Sequence, residues 1–191
     1  MKLKQALVGV ALTLIGFHAT AQTEPGQISL IPQVGVSVAN TSSDLTGYKA
    51  GWSTGVTAEY QLTEPVSLSA GLFFSMEGGK IKDTERKLFL DYLNIPLLAN
   101  YYVTEGFAVK AGAQLGFQVY GKEKVNGEFV PFDTPKNKVA FAIPVGLSYE
   151  YAHIVLDVRY NIGLTNMLDM PVGSMRSQDL MITLGYKFTL N

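Results

Sequence analysis

His153 follows Ser148 by five positions and Glu150 by three. Serine, histidine and an acid are the residue types of nucleophilic acyl transfer. There the imidazole takes the hydroxyl proton and a carboxylate orients the ring. The spacing supplies the types but no supporting geometry, so His153 reads as an ordinary residue at the rim of the fold. The chain contains no cysteine and two histidines, His18 and His153. This excludes thiolate nucleophiles and the common zinc ligand sets. Glu77, Asp83 and Glu85 lie near one polar loop, without the Asp-x-Asp spacing of a calcium loop. The glycines recur at alternate positions rather than in a phosphate-cradling loop. No catalytic residue, cofactor or metal is assigned.

A second constellation is electrostatic. Glu59, Lys110, Glu150, Asp157, Arg159 and Lys187 are three acids and three bases, each a few residues from a short turn or from the chain's end. All fall on faces otherwise built of Ser, Gly, Gln and Asn. Charges withdrawn from water must be paired or cost several kcal/mol each. The expected role is a salt-bridged network that closes an interior, with a narrow ion path as the competing role.

The elements that carry these residues alternate with period two. In the closing stretch, residues 179–190, Leu180, Ile182, Leu184, Tyr186, Phe188 and Leu190 form one apolar face. Thr183, Gly185, Lys187 and Thr189 form the other. A strand sends successive side chains to opposite faces, so this pattern predicts a strand with one greasy side. Similar segments span residues 28–39, 50–62, 66–77, 88–103, 107–120, 138–149 and 153–164. Helices are excluded by the period and by glycine inside every segment but 88–103. Pro96 removes a ladder donor and marks a bulge or a local break in pairing. The connections alternate long and short. Within 121–137, Asn126-Gly127 has the chemistry of a two-residue hairpin turn.

The first residues read as a secretory signal over 1–21. Lys2 and Lys4 precede an apolar run from Ala6 to Phe17, and Ala19-Thr20-Ala21 is a small-residue cleavage site. That run falls short of the roughly 20 residues a membrane helix needs. Cleavage after Ala21 leaves a single domain, 22–191, with 13 basic and 16 acidic residues. Such a balance excludes a strongly basic nucleic-acid surface, and no nucleic-acid partner is expected.

Eight amphipathic strands with apolar faces almost free of charge (Asp91 stands near a rim) predict an all-β, antiparallel, up-and-down transmembrane barrel. Its greasy side meets lipid, where a midplane Lys or Arg costs roughly 2–4 kcal/mol. Closure satisfies the backbone groups that an open sheet would leave bare in a bilayer. Tyr60, Tyr101, Phe107, Tyr149, Tyr186 and Phe188 gather near the short turns as an aromatic girdle. Trp52, Phe74, Phe89, Phe117 and Phe141 form the expected upper girdle. A lipocalin-like barrel would instead keep its apolar face inside.

Residues 51–62 (GWSTGVTAEYQL), 70–80 (AGLFFSMEGGK) and 90–102 (LDYLNIPLLANYY) resemble the outer-membrane β-barrel domain proteins, often called porin-family, of Bacteroidota. The likeness covers nearly the whole chain after residue 21, and Tyr92-Leu93-x-Ile95-Pro96-Leu97 is its most specific piece. It implies the architecture of small eight-stranded outer-membrane barrels and an integral outer-membrane location, with no catalytic motif to carry over. The terminal Asn191 departs from the aromatic residue that ends many barrels. The expected protein is non-enzymatic, with a structural or surface-interaction role through its outer loops; a narrow porin-like channel is the alternative. A monomer is expected. Lys80, Lys82, Arg86 and Lys87 make the loop 78–87 cationic and suited to lipopolysaccharide phosphates. Phe129, Val130, Pro131 and Phe132 in the loop 121–137 offer apolar surface to a protein partner.

Overall fold

A computed structural model describes the backbone of residues 24–41, 46–47, 49–81, 87–125, 128–131, 139–170 and 173–190, and side-chain surroundings over 24–39, 50–76, 91–121, 139–165 and 178–190. The expected signal segment 1–21, the side chains of 78–87 and of 122–137, Phe89, Glu77 and Asn191 lie outside these residues.

Eight long strands form the barrel wall. They are β1 (Ile28–Thr41), β2 (Lys49–Thr63), β3 (Val66–Ile81), β4 (Lys87–Thr104), β5 (Phe107–Val125), β6 (Val139–Tyr151), β7 (Ile154–Met170) and β8 (Gly173–Tyr186), the last continuing as Phe188–Leu190. Each pairs antiparallel with the next. β8 returns to β1, from Gln33 against Gly185 to Thr41 against Ser177 and from Ile28 against Leu190 to Leu30 against Phe188. The sheet is therefore closed and has no free edge.

The alternation sorts the side chains as the period requires. Leu184, Leu97, Phe141 and Val34 stand outward and exposed, while Ser37, Ser53, Ser67, Asn100 and Thr183 point inward and are buried. This is the inverse of a water-soluble barrel. An apolar exterior suits hydrocarbon surroundings, and a crossing needs only roughly 9–11 tilted residues. Strands of 13 to 19 residues therefore project beyond that thickness. Phe73 interrupts the polar interior. It is 1% exposed and fits because Gly55 and Gly71 flank its ring, where an added Cβ would lie 2.6 and 2.7 Å from ring carbons.

Pro96 breaks pairing without a bulge. The β3–β4 ladder lapses between Ala70/Leu97 and Phe73/Asn94 and resumes in the same register, with Pro96 opposite Gly71. Pro144 repeats the arrangement opposite Gly112 between β5 and β6. The bulges of β4 lie elsewhere, at Asp91/Tyr92 and Tyr102/Thr104.

Two expectations need correction. The stretch 165–177 is not a long loop: β7 and β8 stay paired up to Met170 against Gly173, through two register shifts. Its Thr, Asn, Ser and Asp residues resemble turn chemistry, yet ladder bonds extend where the side chains no longer have to be apolar. Two other strands likewise run four and five residues beyond their expected ends, to Ile81 and Val125. Glu128–Pro131 pairs back on β5 from Val125/Glu128 to Lys122/Pro131; the expected Asn126-Gly127 turn lies outside the described residues. The second correction concerns the β6–β7 turn. It is Ala152-His153, with φ of 47° and 72°, so His153 sits in the turn rather than starting a strand.

Positive φ at both centres is the geometry of a type I′ turn, which Asn-Gly satisfies and which costs other L-residues about 1–2 kcal/mol each. Replacing Ala152-His153 by Asn-Gly is expected to raise the urea midpoint of the detergent-solubilised barrel. A lowered midpoint would contradict this account of the turn.

Candidate functional site

The short-turn end of the barrel is sealed by four equivalent backbone bonds. The N–H groups of Gln61, Tyr102, Glu150 and Lys187 donate to the carbonyls of Gln27, Pro65, Gly106 and His153, at 2.7 to 3.0 Å. These four donors sit near the ends of β2, β4, β6 and β8, and all four side chains are buried inside. Lys187 lies at the break in β8, off the ladder to β1, so its main chain turns to the neighbouring hairpin while its side chain enters the lumen.

Two charge clusters fill that end. In the first, Lys187 Nζ bridges Glu59 Oε1 at 3.1 Å and Glu150 Oε2 at 2.9 Å. Tyr102 donates its hydroxyl to Glu59 Oε1 at 2.7 Å, and Asn100 Nδ2 donates to Glu59 Oε2 at 3.3 Å. Lys187 Nζ also stands 5.8 Å from the Tyr102 ring centre. In the second, Asp157 receives Lys110 Nζ at 2.6 Å and Arg159 Nε at 2.7 Å. The Arg159 contact is an ion pair without the alignment of a hydrogen bond. The Arg159 guanidinium lies 4.6 Å from the Phe73 ring centre, and its Nη2 approaches Met181 Sδ at 3.6 Å.

The clusters complement each other. The first holds two carboxylates and one ammonium, the second one carboxylate and two cations. All six side chains are at most 8% exposed. At that burial an isolated charge is prohibitive, whereas a paired one is held by attraction that water no longer screens. Chemically, the arrangement fixes charge across the lumen; it presents no nucleophile and base in hydrogen-bond reach. His153 is exposed in its turn, its ring 5.8 Å from that of outward-facing Tyr186, while Ser148 and Glu150 point inward. No hydrogen bond joins the three among the described residues.

The aromatic set occupies the outer surface. Tyr60, Tyr101, Tyr186 and Phe188 are exposed, and Phe107 and Tyr149 face each other across β5 and β6, half-buried. Tyr186 packs on Phe188 at 4.8 Å. Towards the other end, Trp52 packs on Phe74 at 5.5 Å, with Phe117 and Phe141 exposed.

Several inward residues escape a reading limited to charges near short turns. Asp179 is 4% exposed and accepts from Asn161 Nδ2 at 2.9 Å. Tyr102, Phe73 and Met181 are buried partners of the clusters. Their strand parity would have placed each of them inside.

Arg159→Ala leaves Asp157 with one cation and empties the space against Phe73. The expected loss is about 3–5 kcal/mol, the cost of breaking a buried pair. Urea unfolding in detergent, followed by tryptophan fluorescence, measures it; an unchanged midpoint would contradict the reading.

The comparisons with known proteins agree with this architecture. A sequence model of the outer membrane protein beta-barrel domain matches residues 20–169. Neisserial surface protein A is similar in structure, with a TM-score of 0.58 and 16% identity, covering 83% of this chain and 97% of that one. The attachment invasion locus protein Ail of Yersinia pestis gives 0.53 and 15%, over 86% and 99%. Ail in complex with the heparin analogue sucrose octasulfate gives 0.55 and 16%, over 85% and 99%. No curated protein sequence matches the chain. The chain belongs to the outer membrane protein beta-barrel domain family and is an integral protein of the outer membrane.

Proposed function

We propose that the protein is a non-enzymatic, monomeric outer-membrane barrel whose lumen is closed by the charge network and whose role is structural or interactive, exercised through its outer loops. The observation that carries this reading is the pairing of Glu59, Glu150 and Asp157 with Lys187, Lys110 and Arg159 across the interior. Eight strands leave an interior just wide enough for side chains. The six side chains of the two clusters neutralise one another and offer no free charge to a passing ion at that end of the barrel.

The surface role draws on two further supports. The segment 78–87, which joins the ends of β3 and β4, carries Lys80, Lys82, Arg86 and Lys87, an electrostatic match for the phosphates of lipopolysaccharide. Ail, a protein of similar fold, has a structure in complex with a sulfated heparin analogue. Polyanion contact is the chemistry the two would share. The apolar residues Phe129 to Phe132 add a surface for a protein partner.

Purified protein in a planar bilayer is expected to give no stable single-channel steps. Reproducible steps would overturn the closed lumen in favour of a narrow channel for ions or small solutes.

A further inference from the structure

The buried charges of the lumen do not balance among the described residues. Among the described residues, Glu59, Glu150, Asp157 and Asp179 are buried carboxylates, against the three cations Lys110, Arg159 and Lys187. The two clusters cancel each other, so the surplus negative charge belongs to Asp179. No cation lies within ion-pair distance of it among the described residues. Arg159 is held by Asp157, Phe73 and Met181.

Asp179 and Asn161 face each other across β8 and β7. One bond joins them, Asn161 Nδ2 to Asp179 Oδ1. Asp179 Oδ2 and Asn161 Oδ1 are both buried and have no hydrogen-bond partner among the described residues. Both residues line a partly open cavity of about 30 Å³, together with Asn94, Gln114 and Tyr92. Two orphaned acceptor oxygens on residues that line one cavity call for a hydrogen-bond donor or a cation. A water needs roughly 10–15 Å³ by the same kind of measure, so the cavity has room for one small ion and a water. Water alone would satisfy the oxygens but leave the charge buried in a low dielectric.

We propose that this cavity binds one alkali-metal cation of the size of sodium, held by the Asp179 carboxylate and the Asn161 amide oxygen. The ligands are hard oxygen donors, the class that suits such ions. One surplus charge among the described buried groups selects a monovalent ion, because a divalent one would leave those groups with a positive excess. The ion completes the neutralisation that the two clusters begin.

The test uses the full barrel in detergent micelles at fixed pH and ionic strength. Thermal unfolding is compared in sodium chloride and in choline chloride, whose cation is too large for the cavity. At roughly a hundredfold excess over its dissociation constant, sodium is expected to raise the midpoint by about 5–11 °C. Asp179→Asn, shown to be folded by its heat-sensitive gel migration, is expected to unfold at the same midpoint in both salts. Equal wild-type midpoints in the two salts would overturn the proposal, as would a sodium effect that survives in Asp179→Asn. A midpoint that follows pH while ignoring sodium would identify a proton as the neutralising group and overturn it too. Should Asp179→Asn fail to fold, Asn161→Ala keeps the carboxylate and is expected to weaken the sodium effect; an undiminished effect would reject the site.

Discussion

Lys187 enters the lumen at the one place where the last strand leaves its ladder with the first. Its ammonium lies between Glu59 of β2 and Glu150 of β6, strands that neighbour neither each other nor β8. A single side chain thus ties three separated parts of the wall together across the interior. Tyr102 and Asn100 of β4 join through Glu59. Strand ladders hold each wall strand only to its neighbours. The cross-lumen charges link elements that the ladders leave unconnected, and they act in surroundings where attraction is strong and an unpaired charge is costly.

That constraint follows from the outer surface. A barrel whose exterior is Leu, Val, Ile and aromatic must put its polar residues inside, because the lipid face admits charge only at its edges. The interior of eight strands is narrow, so inward side chains meet whether or not they attract one another. Serines, glycines and two buried prolines keep the wall thin where it must be, and Phe73 fills the gap that Gly55 and Gly71 leave. Charge then has to be arranged in opposed clusters. The N–H groups of Gln61, Tyr102, Glu150 and Lys187 fix the rim from which those clusters hang.

Much of this was legible in period two. The even positions from Leu180 to Leu190 and the odd positions from Thr183 to Thr189 define the closing strand's faces before any coordinate is consulted. The same parity sorts the other seven strands. Less legible was what depends on pairing across the barrel. Nothing local tells that Lys187 reaches Glu59, which is 128 residues away in the chain. Asp179 shares the parity of Lys187, but its distance from any short turn removes it from an inventory built on turns. The stretch 165–177 reads as a loop because polar residues populate both loops and strands that rise above the membrane. His153 was misplaced by one residue, since Ala152-His153 lacks the glycine or asparagine that usually announces a left-handed turn.

The most direct test of the central claim compares Lys187→Met alone with Lys187→Met combined with Glu59→Gln and Glu150→Gln, by urea unfolding in detergent. The single change leaves two buried carboxylates facing each other and is expected to cost about 3–5 kcal/mol. The triple change removes the stranded charge and is expected to recover most of that loss. A triple variant no more stable than the single one would contradict the account, because the loss would then not come from the carboxylates that the lysine leaves unpaired.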